Sequence, residues 1–247
     1  MPLPQLKHPA PGACISGCLM VALLFFSVFL TGNRAMAQRN EFGFFFGGSY
    51  YLGDFNPSRQ FALTRVAVGG LYRFNISPHI AIRANAFYAE VEGNDALTQY
   101  KPLRDLNFES SITEFSTQLE INYLPYQPGN PATPLTPFLY FGGGGFLFHP
   151  HEILPNGGRL DLAEAQRESV AYGTSSYVLM FGAGLKFNIT RKLTSGIEWG
   201  MRRTGTDYLD DISLRGNPKN NDWYSFAGFV LTFKFADESQ AICPYLD

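Results

Sequence analysis

The chain has 247 residues, enough for one domain or at most two small ones, and carries 19 Lys and Arg against 21 Asp and Glu for a formal net charge of −2. Without a basic block, that balance argues against nucleic acid as a partner. Phe (23), Tyr (13) and Gly (25) are abundant while Cys numbers only three, so no disulfide framework holds the fold together.

Residues 1–17 hold one Lys and no acid, and an apolar run follows from Cys18 to Leu30. Thr31-Gly32-Asn33-Arg34 then leads into the small-x-small exit Ala35-Met36-Ala37. This order predicts a secretory signal peptide over 1–37, cut before Gln38. The run is shorter than the roughly 20 residues that span a bilayer, so an uncleaved anchor is the lesser reading. Ile15-Ser16-Gly17-Cys18 precedes the apolar run instead of following it, which discounts a lipid-attachment box. Once the leader is removed, Cys243 is the sole thiol.

Beyond Ala37 there is no apolar run long enough for a membrane helix, and period-2 alternation recurs instead. Strands are predicted at 41–52, 62–74, 79–91, 107–124, 136–148, 172–188, 192–204 and 223–235. In the fourth, Phe115, Leu119, Ile121 and Tyr123 oppose Glu114, Ser116, Gln118, Glu120 and Asn122. In the sixth, Leu179, Phe181, Ala183, Leu185 and Phe187 alternate with Met180, Gly182, Gly184 and Lys186. The seventh sets Ile197, Trp199 and Met201 against Glu198, Gly200 and Arg202. The eighth sets Phe229, Leu231, Phe233 and Phe235 against Val230, Thr232 and Lys234. Successive side chains point to opposite faces, so every strand has an oily and a polar side.

A soluble barrel would bury the Phe-rich face, whereas a membrane barrel turns it to lipid. The export signal favours the second arrangement. Arg65, Arg73, Arg83, Glu114, Glu120, Lys186, Glu198, Arg202 and Lys234 then face a narrow lumen where opposite charges pair. Connections alternate in length: 75–78 and 188–191 are tight and 125–135 is Pro-rich and moderate. The segments 53–61, 92–106, 149–171 and 205–222 are longer. Short turns are periplasmic in such barrels and long loops lie outside the cell. The expected class is therefore all-β, an eight-stranded antiparallel up-and-down transmembrane β-barrel over 38–235. It sits in outer-membrane lipid, with residues 236–247 as a short periplasmic tail.

Chemistry is sparse. His79 sits in a predicted periplasmic turn, and His149 and His151 flank Pro150 at a loop stem without a further metal partner. Gly142–Gly145 lacks the Lys-Ser/Thr of a phosphate loop and lies within a strand, where glycine permits close approach. Asp207-Tyr208-Leu209-Asp210-Asp211 is the densest acidic patch, read as a solvated loop because its spacing is not that of a Ca²⁺ loop. Residues 159–168 come nearest to helical periodicity, inside a polar loop. Asp222-Trp223-Tyr224 opens the last strand, with Trp and Tyr as interface anchors. No enzyme, cofactor, metal or small-molecule substrate is expected.

Gly47-Gly48-Ser49-Tyr50-Tyr51-Leu52-Gly53-Asp54, Thr206-Asp207-Tyr208-Leu209-Asp210-Asp211-Ile212-Ser213 and Asn221-Asp222-Trp223-Tyr224 together resemble the PorG family. These are outer-membrane barrel components of the type IX secretion system. The resemblance implies association with a periplasmic ring, made of a lipoprotein and its partner, which the barrel helps to anchor. It marks Gly53, Asp54, Asp207, Tyr208, Asp210, Asp211, Asp222, Trp223 and Tyr224 as family-motif and possible interaction residues. The predicted topology puts Asp207–Ser213 outside the cell, away from such a ring. That motif is therefore structural, or touches another translocon component, or the loop assignment is inverted.

Overall fold

A computed structural model describes residues 40–53, 55–56, 59–94, 107–153, 159–161, 173–210 and 221–234. The expected leader, Asp54, Asp211, Phe235 and the tail lie outside the described residues. Among the described residues nine strands follow in chain order: β1 (Asn40–Leu52), β2 (Arg65–Asn75), β3 (Ile80–Asn94), β4 (Asn107–Asn122), β5 (Leu135–Ile153), β6 (Arg159–Asp161), β7 (Ser175–Asn188), β8 (Leu193–Thr204) and β9 (Trp223–Lys234). Every pairing is antiparallel. The order β4-β3-β2-β1-β9-β8-β7-β5 closes on itself through β4 and β5, giving an eight-stranded barrel. β6 pairs with the end of β5 and adds no stave. Closure leaves no strand edge in the wall, as a lipid environment demands.

The alternation is inside-out. Phe42, Phe44, Phe46, Phe115, Leu139, Phe141, Leu179, Phe181 and Phe229 are 41–67% exposed on the outer face. Glu41, Arg73, Arg83, Glu114, Glu120, Lys186, Glu198 and Arg202 are buried within. Along β5 the outward residues run apolar or glycine from Leu135 to Leu147, then change to His149 and His151. At about 3.3 Å per residue and a tilt of about 40°, that stretch covers roughly 30 Å of thickness, the depth of a bilayer's hydrocarbon core.

The strands depart from the expected limits where local chemistry intervenes. Phe61 and Leu63 adopt positive φ (61° and 50°), a turn conformation that no strand accommodates, so β2 starts at Arg65 and not at 62. β5 runs on past the expected loop stem because β4 continues beside it, pairing Glu109 with His151. His149 and His151 are therefore strand residues. Arg159–Asp161, at the start of the helix-like stretch, forms β6 against His151–Ile153.

The short turns, Ile76–His79, Tyr123–Pro134 and Ile189–Lys192, share one end of the barrel. The Pro-rich connection folds across that end. Tyr126 is buried there, its hydroxyl donating to Asn188 Oδ1 (2.9 Å) and its amide to Pro78 O (3.0 Å). Asn188 Oδ1 also accepts from the Gly129 amide (2.8 Å). Its Nδ2 donates to the carbonyls of Gln127 (3.0 Å), Asn130 (3.2 Å) and Thr133 (2.8 Å). One side chain thus ties down a loop that its prolines deprive of backbone donors. Gly129 has φ +78°, and any Cβ there would strike the Arg191 backbone.

Candidate functional site

The lumen is stacked in layers, each placed by strand register. Nearest the short turns, Glu41 on β1, Arg73 on β2, Arg83 on β3, Glu120 on β4, Lys186 on β7 and Glu198 on β8 meet across the axis. Arg73 Nη1 lies 3.2 Å from Glu41 Oε2, and its Nε lies 2.8 Å from Glu120 Oε2. Arg83 grips Glu198 with two hydrogen bonds (2.6 and 3.0 Å) and reaches Glu120 at 3.2 Å. Lys186 Nζ donates to Glu120 Oε2 (2.5 Å) and Asn122 Oδ1 (2.8 Å). Glu120 therefore meets three cations. A cavity of about 10 Å³ lies beside Arg73 and Lys186, room for roughly one water.

The next layer is aromatic. Phe45, Phe87 and Phe226 pack with ring centroids 5.2–6.2 Å apart. The Arg202 guanidinium stacks 4.0 Å from the Phe226 centroid, and its Nε pairs with Glu114 Oε2 at 3.3 Å. Tyr224 donates to the same Glu114 oxygen (2.7 Å). The apolar packing continues through Phe108, Phe146, Phe148 and Ile112 toward the long-loop end. Counting Arg202 and Glu114, the buried lumen cations Arg73, Arg83, Lys186 and Arg202 are balanced by Glu41, Glu114, Glu120 and Glu198. Charge balance offsets the desolvation that isolated ions would suffer there.

At the long-loop mouth the three motif segments converge. Tyr51 at the end of β1 lies with its hydroxyl 2.7 Å from Asp210 Oδ2 and 2.6 Å from Asp222 Oδ1. The Leu209 amide donates to Asp222 Oδ2 (3.1 Å), and the Leu209 side chain is buried with Tyr51, Phe55 and Phe108. Gly53 is confined by the same cluster: a Cβ there would collide with the Tyr51 hydroxyl and the Asp222 carboxylate. Burial, and then the neighbouring Asp210, raise the Asp222 carboxyl well above the ordinary carboxylate range.

Several sequence expectations are corrected by this geometry. Asp210 is buried rather than solvated, with Leu209 beside it in the apolar cluster of the mouth. Tyr224 points inward to Glu114 and is not an interface anchor; Trp223, one residue earlier on the opposite face, packs on Phe181. Asp207 and Tyr208 stand beside the cluster, half-buried. Arg65 is at the rim, its side chain 38% exposed, paired with Glu92 (2.7 Å) and Glu109. Arg65 is the first residue of β2, so its side chain is free to turn to the β3–β4 extension. Lys234 lies at the opposite rim and donates to Pro128 O (3.1 Å). Glu41 was missed because the run Phe44-Phe45-Phe46 masks the β1 alternation. Tyr51 and Asn188 carried no signal of their own. Among the described residues no group of three or more His, Cys, Asp or Glu is placed to hold a metal ion.

The family described as a domain of unknown function (DUF6089) matches residues 19–245. The chain belongs to this family. Comparison of this DUF6089 chain with curated proteins finds no match. Solved structures similar to it include Neisserial surface protein A, at 11% identity and a TM-score of 0.47 over 79% of this chain and 97% of that one. The attachment invasion locus protein Ail of Yersinia pestis gives 9% identity and a TM-score of 0.44 over 79% and 97%. The outer membrane protein OprG from Pseudomonas aeruginosa gives 12% and 0.41 over 79% and 97%.

Proposed function

We propose that this DUF6089 barrel is an outer-membrane component of the type IX protein secretion system, similar to PorG. In this reading it associates with a periplasmic ring lipoprotein and its partner and helps anchor the ring beneath the membrane. The observation that carries the reading is the filled lumen. Charged and aromatic layers occupy the axis, and Tyr126 and Leu209 are buried toward its two ends, so the described residues leave no room for folded cargo inside the wall. A barrel of eight strands has room inside only for its own side chains. What remains for function is its surface, as an anchor requires. In this reading Tyr51, Asp210 and Asp222 serve to hold the long-loop mouth together, and another surface of the barrel meets the ring.

Deletion of the gene is expected to abolish export of cargo bearing the system's C-terminal signal, read by immunoblot of culture medium. A tagged barrel extracted in detergent is expected to retain the ring lipoprotein after crosslinking. Normal cargo export in a clean deletion strain would falsify the assignment. A second reading, a general eight-stranded barrel with a surface or envelope-integrity role, is favoured by the β3–β4–β5 sheet. That sheet continues beyond the apolar belt and presents Glu90, Glu92, Glu109 and His149 outward. Recovery of no ring component, with export intact and detergent sensitivity raised, selects that alternative.

A further inference from the structure

A single phenolic hydrogen cannot serve two carboxylates. The two contacts from Tyr51 Oη, at 2.7 Å to Asp210 and 2.6 Å to Asp222, are both of hydrogen-bond length, and all three residues are buried. Each oxygen–oxygen approach needs a hydrogen between its ends, and Tyr51 supplies one. The other hydrogen belongs to a carboxyl group, which donates to the tyrosine oxygen while the tyrosine donates to the second carboxylate. We propose that the long-loop mouth is closed by a proton-held latch, in which a neutral carboxyl of the Asp210–Asp222 pair docks segment 205–210 onto β1 and its deprotonation releases that segment.

Independent contacts show what the latch fastens. The Leu209 amide is held by Asp222, and the Leu209 side chain is buried in one apolar cluster with Tyr51, Phe55 and Phe108. Releasing the segment uncovers that aromatic mouth. Among the described residues, the groups near the pair are Tyr51 from β1, Asp207 and Tyr208 from the loop itself, and, beside Tyr51 in the β1–β9 register, Tyr224. Tyr224 is committed to Glu114, which is paired in turn with Arg202. Arg215 and Lys219, on the remainder of the loop, lie outside the described residues. Asp207 adds further negative potential to Asp222, in the same direction as burial and Asp210. The sign follows. A carboxyl raised in the folded state contributes fully below its unfolded value of about 3.9, and that contribution is lost as pH rises through the folded value.

The test uses the full mature barrel folded in detergent or lipid vesicles. Infrared spectroscopy is expected to show a neutral carboxylic C=O band that persists at pH values where ordinary carboxylates have ionised, and that disappears on further titration. Hydrogen exchange at the Leu209 amide, corrected for its intrinsic pH dependence, is expected to quicken at least about tenfold as the pH is raised past the loss of that band. Asp222→Asn keeps the shape and supplies a permanent hydrogen, so it is expected to lose the band and to hold Leu209 protection flat. Asp210→Asn serves the same purpose as a second variant, with unheated gel mobility confirming that each barrel is folded. A wild-type protein without the band, or Asn variants that repeat the wild-type pH dependence, overturns the latch.

Discussion

Replacing Glu120 by Ala is expected to lower the barrel's stability by about 3–5 kcal/mol, the cost of stripping a buried ion of its partner. Arg73, Arg83 and Lys186 all touch this carboxylate and are at most 3% exposed, so its removal leaves one anion too few for a desolvated cationic cluster. Glu41 and Glu198 cannot make up the loss, since each already faces its own arginine. The urea midpoint for conversion from the compact to the unfolded gel form, measured in lipid vesicles, reads the effect. Arg65→Ala provides the contrast. Its side chain is partly in solvent, and such pairs contribute only about 0–1 kcal/mol. Equal midpoint shifts for the two variants would rule out a buried network as the stabilising element.

Valine at Gly142 is expected to prevent folding, whereas valine one residue later at Gly143 is expected to leave the barrel assembled. The four consecutive glycines look interchangeable, but strand alternation divides them. At Gly142 and Gly144 a Cβ would stand 2.8 Å from Gln118 Cα and 2.7 Å from Ser116 Cα, and would also press on the β4 carbonyls of Thr117 and Phe115. Main-chain atoms in a closed sheet cannot retreat as a side chain can, so overpacking here exceeds the usual 1–3 kcal/mol. At Gly143 and Gly145 the nearest atoms are 3.4 Å and 3.8 Å away, ordinary contact on the lipid face. Refolding yield from urea into vesicles, scored by gel mobility, separates the pair. Assembly of Gly142→Val at wild-type yield would mean that β4 and β5 are less tightly apposed than their register implies.

The strands were legible because period-2 alternation is written in neighbouring residues, and lipid outside the barrel makes the contrast between faces large. Glu120, Arg83 and Lys186 announced their inward position simply by being charged between apolar neighbours. Glu41 did not, since aromatic residues fall on both faces of β1: Phe45 fills the lumen while Phe44 and Phe46 meet lipid. Tyr224 was misplaced for a related reason. Its residue type suits a membrane interface, and only pairing with Tyr51 across β1–β9 shows that it points to Glu114.

Alternation by itself determined an eight-stranded antiparallel barrel, because each strand's two faces are decided within a few residues of chain, and the export signal chose its inside-out sense. Closure decided the partners. Tyr51 lies 159 residues from Asp210 and 171 from Asp222, and Arg83 lies 115 from Glu198. Local patterning carries no information about which charges meet across a lumen, or which carboxylates share a hydroxyl. Those contacts arise only when the first and last strands join and the walls come within reach of one another.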